Sequence, residues 1–379
     1  MDMTKIEKRI DAVTKKDVAD GLVACAGVQV ICEDKVCFHG NYGWADADHT
    51  VPLTDKHLFR MASMTKPVTA VCVMQQVEAG KLALDEAVER YLPVFRDMQV
   101  AELDANGSLT GTHPAARPFT IRDLLTHSSG LGSGNFGLFC QNPNPTGNDT
   151  LADKIDDWGA ALLEFDPGTR TSYSANVASD VLAHLVELAA DMPYEAYAKQ
   201  YLFAPLGMTD TAFTPTEDQW SRMVQMHATI DGKAQPVEMG RHIYTNFPIT
   251  YHTGGAGLMS SLQDYTRFAH MLLHDGSLDG AQILLPETVQ KMRTRQLPPL
   301  LPGTDATFSW GLSMRVALAD NGSQAPLPAG AYGWSGAYGT HFWCDPKNKL
   351  CAVYVSNMTT AGGSGALTAR HLEHAVYDA

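Results

Sequence analysis

Ser63-Met64-Thr65-Lys66 is the chain's only Ser-x-x-Lys; none of the other thirteen lysines has a serine three residues before it. Residues three apart on a helix share a face, so the lysine amine of such a tetrad can reach the serine hydroxyl. A serine hydroxyl becomes a useful nucleophile only when a neighbouring group takes its proton. The tetrad is followed by Pro67-Val68-Thr69-Ala70-Val71-Cys72-Val73-Met74, apolar on nearly every side, which predicts a fully buried helix. Proline is accepted in the first helical turn, where its missing N–H is not needed, so the helix must begin close to Ser63. The hydroxyl then stands at the positive end of that helix, where an oxyanion is favoured. Lys66 is expected at its foot, needing either hydrogen-bond partners or a lowered pKa. Taken without its surroundings, the same tetrad also reads as an exposed serine cap and a solvated lysine.

The elements that must carry this chemistry follow from periodicity. Ala26 to Cys32 and Val36 to His39 flank the polar Glu33-Asp34-Lys35 and read as a hairpin near the start. Thr340 to Cys344 and Leu350 to Val355 flank Asp345 to Lys349 and make a second near the end, before a helix over about 366–376. Between them Val177, Val181, Leu185 and Leu188 form a one-sided helical stripe. Ser261 and Asp264 resemble a capping box opening a helix that stops near Gly276. Asp104 to Pro118, Gly132 to Asp149 and Lys233 to Gly257 read as long loops of the binding or lid kind. Both chain ends are therefore expected to share one antiparallel sheet flanked by helices, with the middle inserted as an all-α unit. The expected boundaries are 1–60 plus 240–379 for the discontinuous α/β domain and 61–239 for the mainly helical one.

Composition excludes several classes. The 379 residues are 45% hydrophobic and 18% charged, as in a globular enzyme. A net charge of −14 speaks against nucleic-acid binding, and no run of eighteen apolar residues suits a membrane helix. The charged stretch Met1 to Ile10 lacks the apolar core of a signal peptide, which favours a cytoplasmic protein over one whose leader has been removed. Seven cysteines, an odd number without a C-x-x-C pair, read as reduced thiols, several of them small hydrophobes in apolar runs. His371-Leu372-Glu373-His374 matches no zincin order and reads as a solvated helix face. His127, His252 and His341 are candidates for supporting roles, each more readily a structural residue. No metal and no cofactor are expected. Gly-x-Ser-x-Gly, P-loop and dinucleotide fingerprints are missing.

The run Phe59 to Pro67 resembles the nucleophile segment of the serine β-lactamase and penicillin-binding protein superfamily. Tyr42 to Asp46, Leu124-Leu125-Thr126-His127-Ser128-Ser129-Gly130-Leu131, Pro205 to Thr211 and Gly254 to Ser261 resemble further blocks of that superfamily, in its order. The resemblance implies its mixed α/β fold, with the active site between two domains. It also implies acyl-enzyme chemistry with Ser63 as nucleophile and Lys66 and Tyr173 as proton-transfer partners. Tyr173-Ser174-Ala175-Asn176 departs from the family's Tyr-x-Asn, since Ala175 stands where the asparagine belongs and Asn176, a candidate substrate contact, comes one place late. Tyr173 considered alone would read as a packing residue. Trp334-Ser335-Gly336 stands where the family has Lys-Thr-Gly on an edge strand, and is similar to the Trp-Gly-Gly variant of family VIII carboxylesterases. These three residues are implied substrate contacts, and the main-chain N–H groups of Ser63 and Ala337 an implied oxyanion hole. The expectation is a carboxylesterase acting on small-molecule esters of short to medium acyl length, with a β-lactamase, D,D-peptidase, acyltransferase or amide hydrolase as alternatives.

Overall fold

The computed structural model describes residues 2–134, 148–241, 248–319 and 326–378. Of the expected loops, most of Gly132 to Asp149 and residues 242–247 lie outside them, and with them Phe136, Phe139, Cys140 and Phe247.

One seven-stranded sheet is built from both ends of the chain. Its strands are β1 (Cys25–Cys32), β2 (Lys35–Gly43), β3 (Phe308–Trp310), β4 (Arg315–Ala317), β5 (Tyr332–Ser335), β6 (His341–Asp345) and β7 (Leu350–Val355). They lie in the order β3-β4-β5-β6-β7-β1-β2, every neighbouring pair antiparallel. Both expected hairpins are present. The first turns on two residues, Glu33 and Asp34, with φ of 46° and 68°, the backbone that tight hairpins require.

Alternation along the strands sends side chains to two faces. On one face Tyr332, Trp334, Phe342, Val353 and Val355 join helices α2 (Thr65–Glu78), α3 (Val177–Ala190) and α4 (Leu262–Leu273) in the larger core. On the other, Val28, Val30, Trp343 and Tyr354 pack with Ile6, Ile10, Leu372 and Val376 of α1 (Met3–Ala19) and α5 (Leu367–Tyr377). α2 is buried from Thr65 through Met74, as its all-round apolar sequence requires. Ser261 caps α4 by accepting a hydrogen bond from the Asp264 N–H at 3.1 Å. No helix among the described residues is long and apolar enough to cross a membrane.

Two expectations are corrected. Residues 104–118 are not an open loop: Gln99–Leu103 and Leu109–Pro114 pair as a hairpin, and Lys233–Pro236 pairs with His227–Ile230. These strands are short and largely polar, so they carry no apolar alternation for a sequence reading to detect. The second correction concerns β5, which is not an edge strand throughout. β4 covers it at Tyr332 and Gly333, and only from Trp334 onward does one side lie open.

Candidate active site

Ser63 sits in the short 3-10 turn Ala62–Met64 that feeds directly into α2. The turn is entered through Ala62 with φ of 46°, a left-handed backbone that L-residues rarely adopt. Hydrogen bonds from neighbouring elements fix this segment. Met61 N–H donates to Leu258 at 2.9 Å, the Thr340 hydroxyl to Met61 O at 3.0 Å, and the Tyr265 hydroxyl to Met64 O at 2.7 Å. Met259–Ser260, within the block beginning at Gly254, pairs with Phe59–Arg60 immediately before the nucleophile segment.

The Lys66 side chain is buried and fully engaged. Its ammonium donates to Ser63 Oγ at 3.3 Å, to Ala175 O at 2.5 Å and to Gly255 O at 2.8 Å. Three donors meet three acceptors, which answers the cost of burying the charge. Gly255 is held in turn through its N–H by Asp180, whose carboxylate accepts from Tyr251 Oη at 2.8 Å, Thr253 Oγ1 at 2.6 Å and Gly255 N at 3.2 Å. Complete burial pushes the Asp180 carboxyl up to about 6, against the lowering effect of these hydrogen bonds and of Lys66.

Tyr173 is partly exposed, its ring packed among Trp334, His127 and Trp310 at centroid separations of 5.3, 4.7 and 6.1 Å. The Lys66 ammonium lies 5.0 Å from the centre of that ring. Its hydroxyl makes no hydrogen bond to another described residue. His127 is a feature the sequence left open. Buried beneath Tyr173, it accepts from Ser174 N–H through Nδ1 at 3.3 Å, and its Nε2 is buried without a partner. Burial, reinforced by the Lys66 charge, pushes this imidazole down to about 3, so it is neutral.

The open end of β5 approaches the segment that leads into Ser63 closely. A Cβ on Gly336 would fall 2.3 Å from Met61 O and 2.1 Å from Thr340 Oγ1, so only glycine permits the approach. Beyond it Ala337 is exposed, and its N–H donates to no main-chain carbonyl among the described residues. A cleft of about 490 Å³ opens here, lined by Ser63, Tyr173, Trp334, Ser335 and Ala337 together with Phe308, Trp310, Arg315 and the turn at Gly362–Ser364. The Trp334 indole N–H is buried without a partner.

Two of the implied substrate contacts do not line this cleft. Gly336 lies behind it, against Met61. Asn176 is buried as the residue preceding α3, at the position where a Cβ on Gly255 would meet its Oδ1 at 2.9 Å. The extra residue between Tyr173 and Asn176 places the Ala175 carbonyl, rather than the amide side chain, on Lys66. Sequence reading also missed the pairing behind Ser335. Its hydroxyl lies 2.7 Å from His341 Nδ1, and His341 Nε2 lies 3.0 Å from Glu373 on α5, all three buried. Ser335 and His341 are directly opposed on β5 and β6, a register that spacing along the chain does not reveal. His252 instead pairs with Glu195 at 3.0 Å, away from the cleft.

Residues 10–377 of the chain fit the Beta-lactamase family. The chain belongs to that family. Among its relatives, Esterase EstB of Burkholderia gladioli is 30% identical over 404 residues, covering 100% of this chain and 96% of EstB. Monacolin J acid methylbutanoyltransferase of Aspergillus terreus is 29% identical over 319 residues, 78% of this chain and 75% of the relative. The solved structure of EstCE1, described as a hydrolase with promiscuous acyltransferase activity, superposes with a TM-score of 0.82 at 23% identity, covering 99% of both chains. That likeness establishes the fold. The protein is thus an enzyme of the serine β-lactamase fold with esterases among its relatives.

Proposed function

We propose that this β-lactamase-family protein is a serine carboxylesterase that cleaves short to medium acyl esters through an acyl-enzyme on Ser63. The observation that carries the reading is the Ser63 hydroxyl, 3.3 Å from the Lys66 ammonium, at the mouth of a cleft whose facing strand presents Trp334 where lactam-recognising relatives present a lysine. An indole offers no charge for the carboxylate of a β-lactam.

All three protons of the Lys66 ammonium are directed at acceptors, so in this state it holds no lone pair for the serine proton. The proton therefore passes to Tyr173 acting as the base, its ring centre 5.0 Å from the Lys66 ammonium. As Ser63 Oγ bonds to the ester carbonyl carbon, the carbonyl electron pair moves onto oxygen, between the N–H groups of Ser63 and Ala337. The C–OR bond then breaks and the alcohol leaves with the proton from Tyr173. A water molecule repeats the sequence on the acyl-enzyme, releasing the acid and free Ser63. Alignment of the hydroxyl of Tyr173 with Ser63 is completed when substrate fills the cleft.

Acyl transfer is the second reading, supported by the transferase among the relatives and by a cleft wide enough for an alcohol in place of water. A panel of p-nitrophenyl esters, nitrocefin and a D-Ala-D-Ala peptide, run with and without an added alcohol, tests both. Ester turnover lost in Ser63→Ala supports the esterase. A kcat/KM for nitrocefin above that for p-nitrophenyl butyrate overturns it, and partitioning mainly to the new ester establishes the transferase.

A further inference from the structure

Away from the cleft, three side chains with metal-binding donors converge from opposite ends of the sequence. Asp34 is the second residue of the tight turn joining β1 to β2. His270 lies in the last turn of α4 and His274 caps its C-terminal end. Four residues apart, the two imidazoles stand on one helix face, with ring centroids 4.7 Å apart. Both direct Nε2 at the same oxygen of Asp34, His270 from 3.5 Å and His274 from closer still. All the donor atoms lie within 4.8 Å of one another, and none of the three residues lines the catalytic cleft.

We propose that Asp34, His270 and His274 form a binding site for a divalent transition ion of the zinc type, tying the β1–β2 turn to the end of α4. Zinc binds imidazole nitrogen and carboxylate oxygen at close to 2.0–2.2 Å in a tetrahedral shell. Neighbouring ligand atoms in such a shell are about 3.3 Å apart, close to the His270–Asp34 separation of 3.5 Å, whereas His274 and Asp34 stand in direct hydrogen-bond contact and must part to admit the ion. Two imidazoles and one carboxylate suit zinc, cobalt or nickel and are a poor set for calcium or magnesium, which prefer oxygen throughout. The negative end of α4 adds favourable potential for a cation. Asp34 and His274 are exposed enough for water to complete the shell. The other histidine pair, His371 and His374, forms no such site. Their Nδ1 atoms turn to separate carboxylates, Asp17 at 2.8 Å and Asp378 at 3.1 Å.

The test uses full-length, tag-free protein stripped with EDTA and titrated with Co²⁺, then Zn²⁺. The expected result is one saturable equivalent with weak visible cobalt bands and no thiolate charge-transfer band, displaced by Zn²⁺. Zn²⁺ should also raise Tm, with no comparable rise from Ca²⁺. His270→Gln and His274→Gln should keep the metal-free Tm and lose the Zn²⁺-dependent rise, while the His371→Gln/His374→Gln double variant keeps it. A rise that survives in the His270→Gln/His274→Gln double variant, a thiolate–cobalt band, or no saturation at millimolar zinc would overturn the proposal. Should either single variant fail to fold, the cobalt spectrum and stoichiometry of the unaltered protein decide alone.

Discussion

The Lys66 ammonium, which donates to Ser63 Oγ at 3.3 Å, is also tied to the main-chain carbonyl of Ala175 at 2.5 Å. Ala175 is the residue that the resemblance to the family's Tyr-x-Asn sets at the asparagine position, and its main-chain carbonyl anchors the lysine.

Ser63→Ala should abolish ester turnover and leave Tm nearly unchanged, because Ser63 supplies only one of three Lys66 acceptors. Turnover and labelling by a fluorophosphonate probe are the measurements. Residual activity above about one thousandth would argue against Ser63 as nucleophile.

Tyr173→Phe and Lys66→Ala should fail in different ways. The phenylalanine variant keeps the ring packing with Trp334 and loses two or more orders of magnitude in kcat, roughly the worth of a proton-transfer group. Lys66→Ala loses activity and also strands the carbonyls of Ala175 and Gly255, at a cost of about 1–3 kcal/mol each in urea unfolding. A fall below tenfold for Tyr173→Phe would make Lys66 the principal base.

Gly336→Ala tests the close approach of β5 to the nucleophile. The added methyl would fall 2.3 Å from Met61 O, pushing the strand end and the Ala337 N–H away from Ser63. Displacement of about 1 Å is expected to lower kcat/KM on the order of a hundredfold. Unchanged kinetics would show slack in this contact and weaken the case for Ala337 in the oxyanion hole.

Asp180 gives a stability prediction with a definite sign. Its carboxyl is raised from 3.8 to about 6 in the folded chain, so between these values the folded state holds the proton and the unfolded state has released it. Stability from this group is complete below about pH 4 and is lost as pH rises to about 6, roughly 3 kcal/mol in all. Asp264, also raised to about 6 by burial, adds to the same slope. Urea unfolding at pH 4.5, 5.5 and 6.5 should show a shallower decline in Asp180→Asn than in the unaltered chain. Equal slopes would refute the assignment.

The sequence by itself located the turn that carries Ser63 at the start of a buried helix. Pro67 confines the helix start, and the apolar run that follows admits only a buried helix; both are local constraints that a chain carries in its spacing. The two hairpins of the sheet and the helices at Val177 and Leu262 were legible for the same reason, since apolar periodicity is written residue by residue. The polar hairpin at Gln99–Pro114 was not, because it buries little and leaves no pattern.

Tertiary structure alone decided how the site is assembled. That the Ala175 carbonyl meets Lys66, that Gly336 touches Met61, that Ser335, His341 and Glu373 join, and that Asn176 is buried away from the cleft all depend on segments brought together from distant parts of the chain. Asp34 and His274, 240 residues apart, meet for the same reason. Sequence spacing fixes residue types and local geometry, whereas strand register and helix packing fix which main-chain atoms face one another, and those atoms carry no side-chain signature.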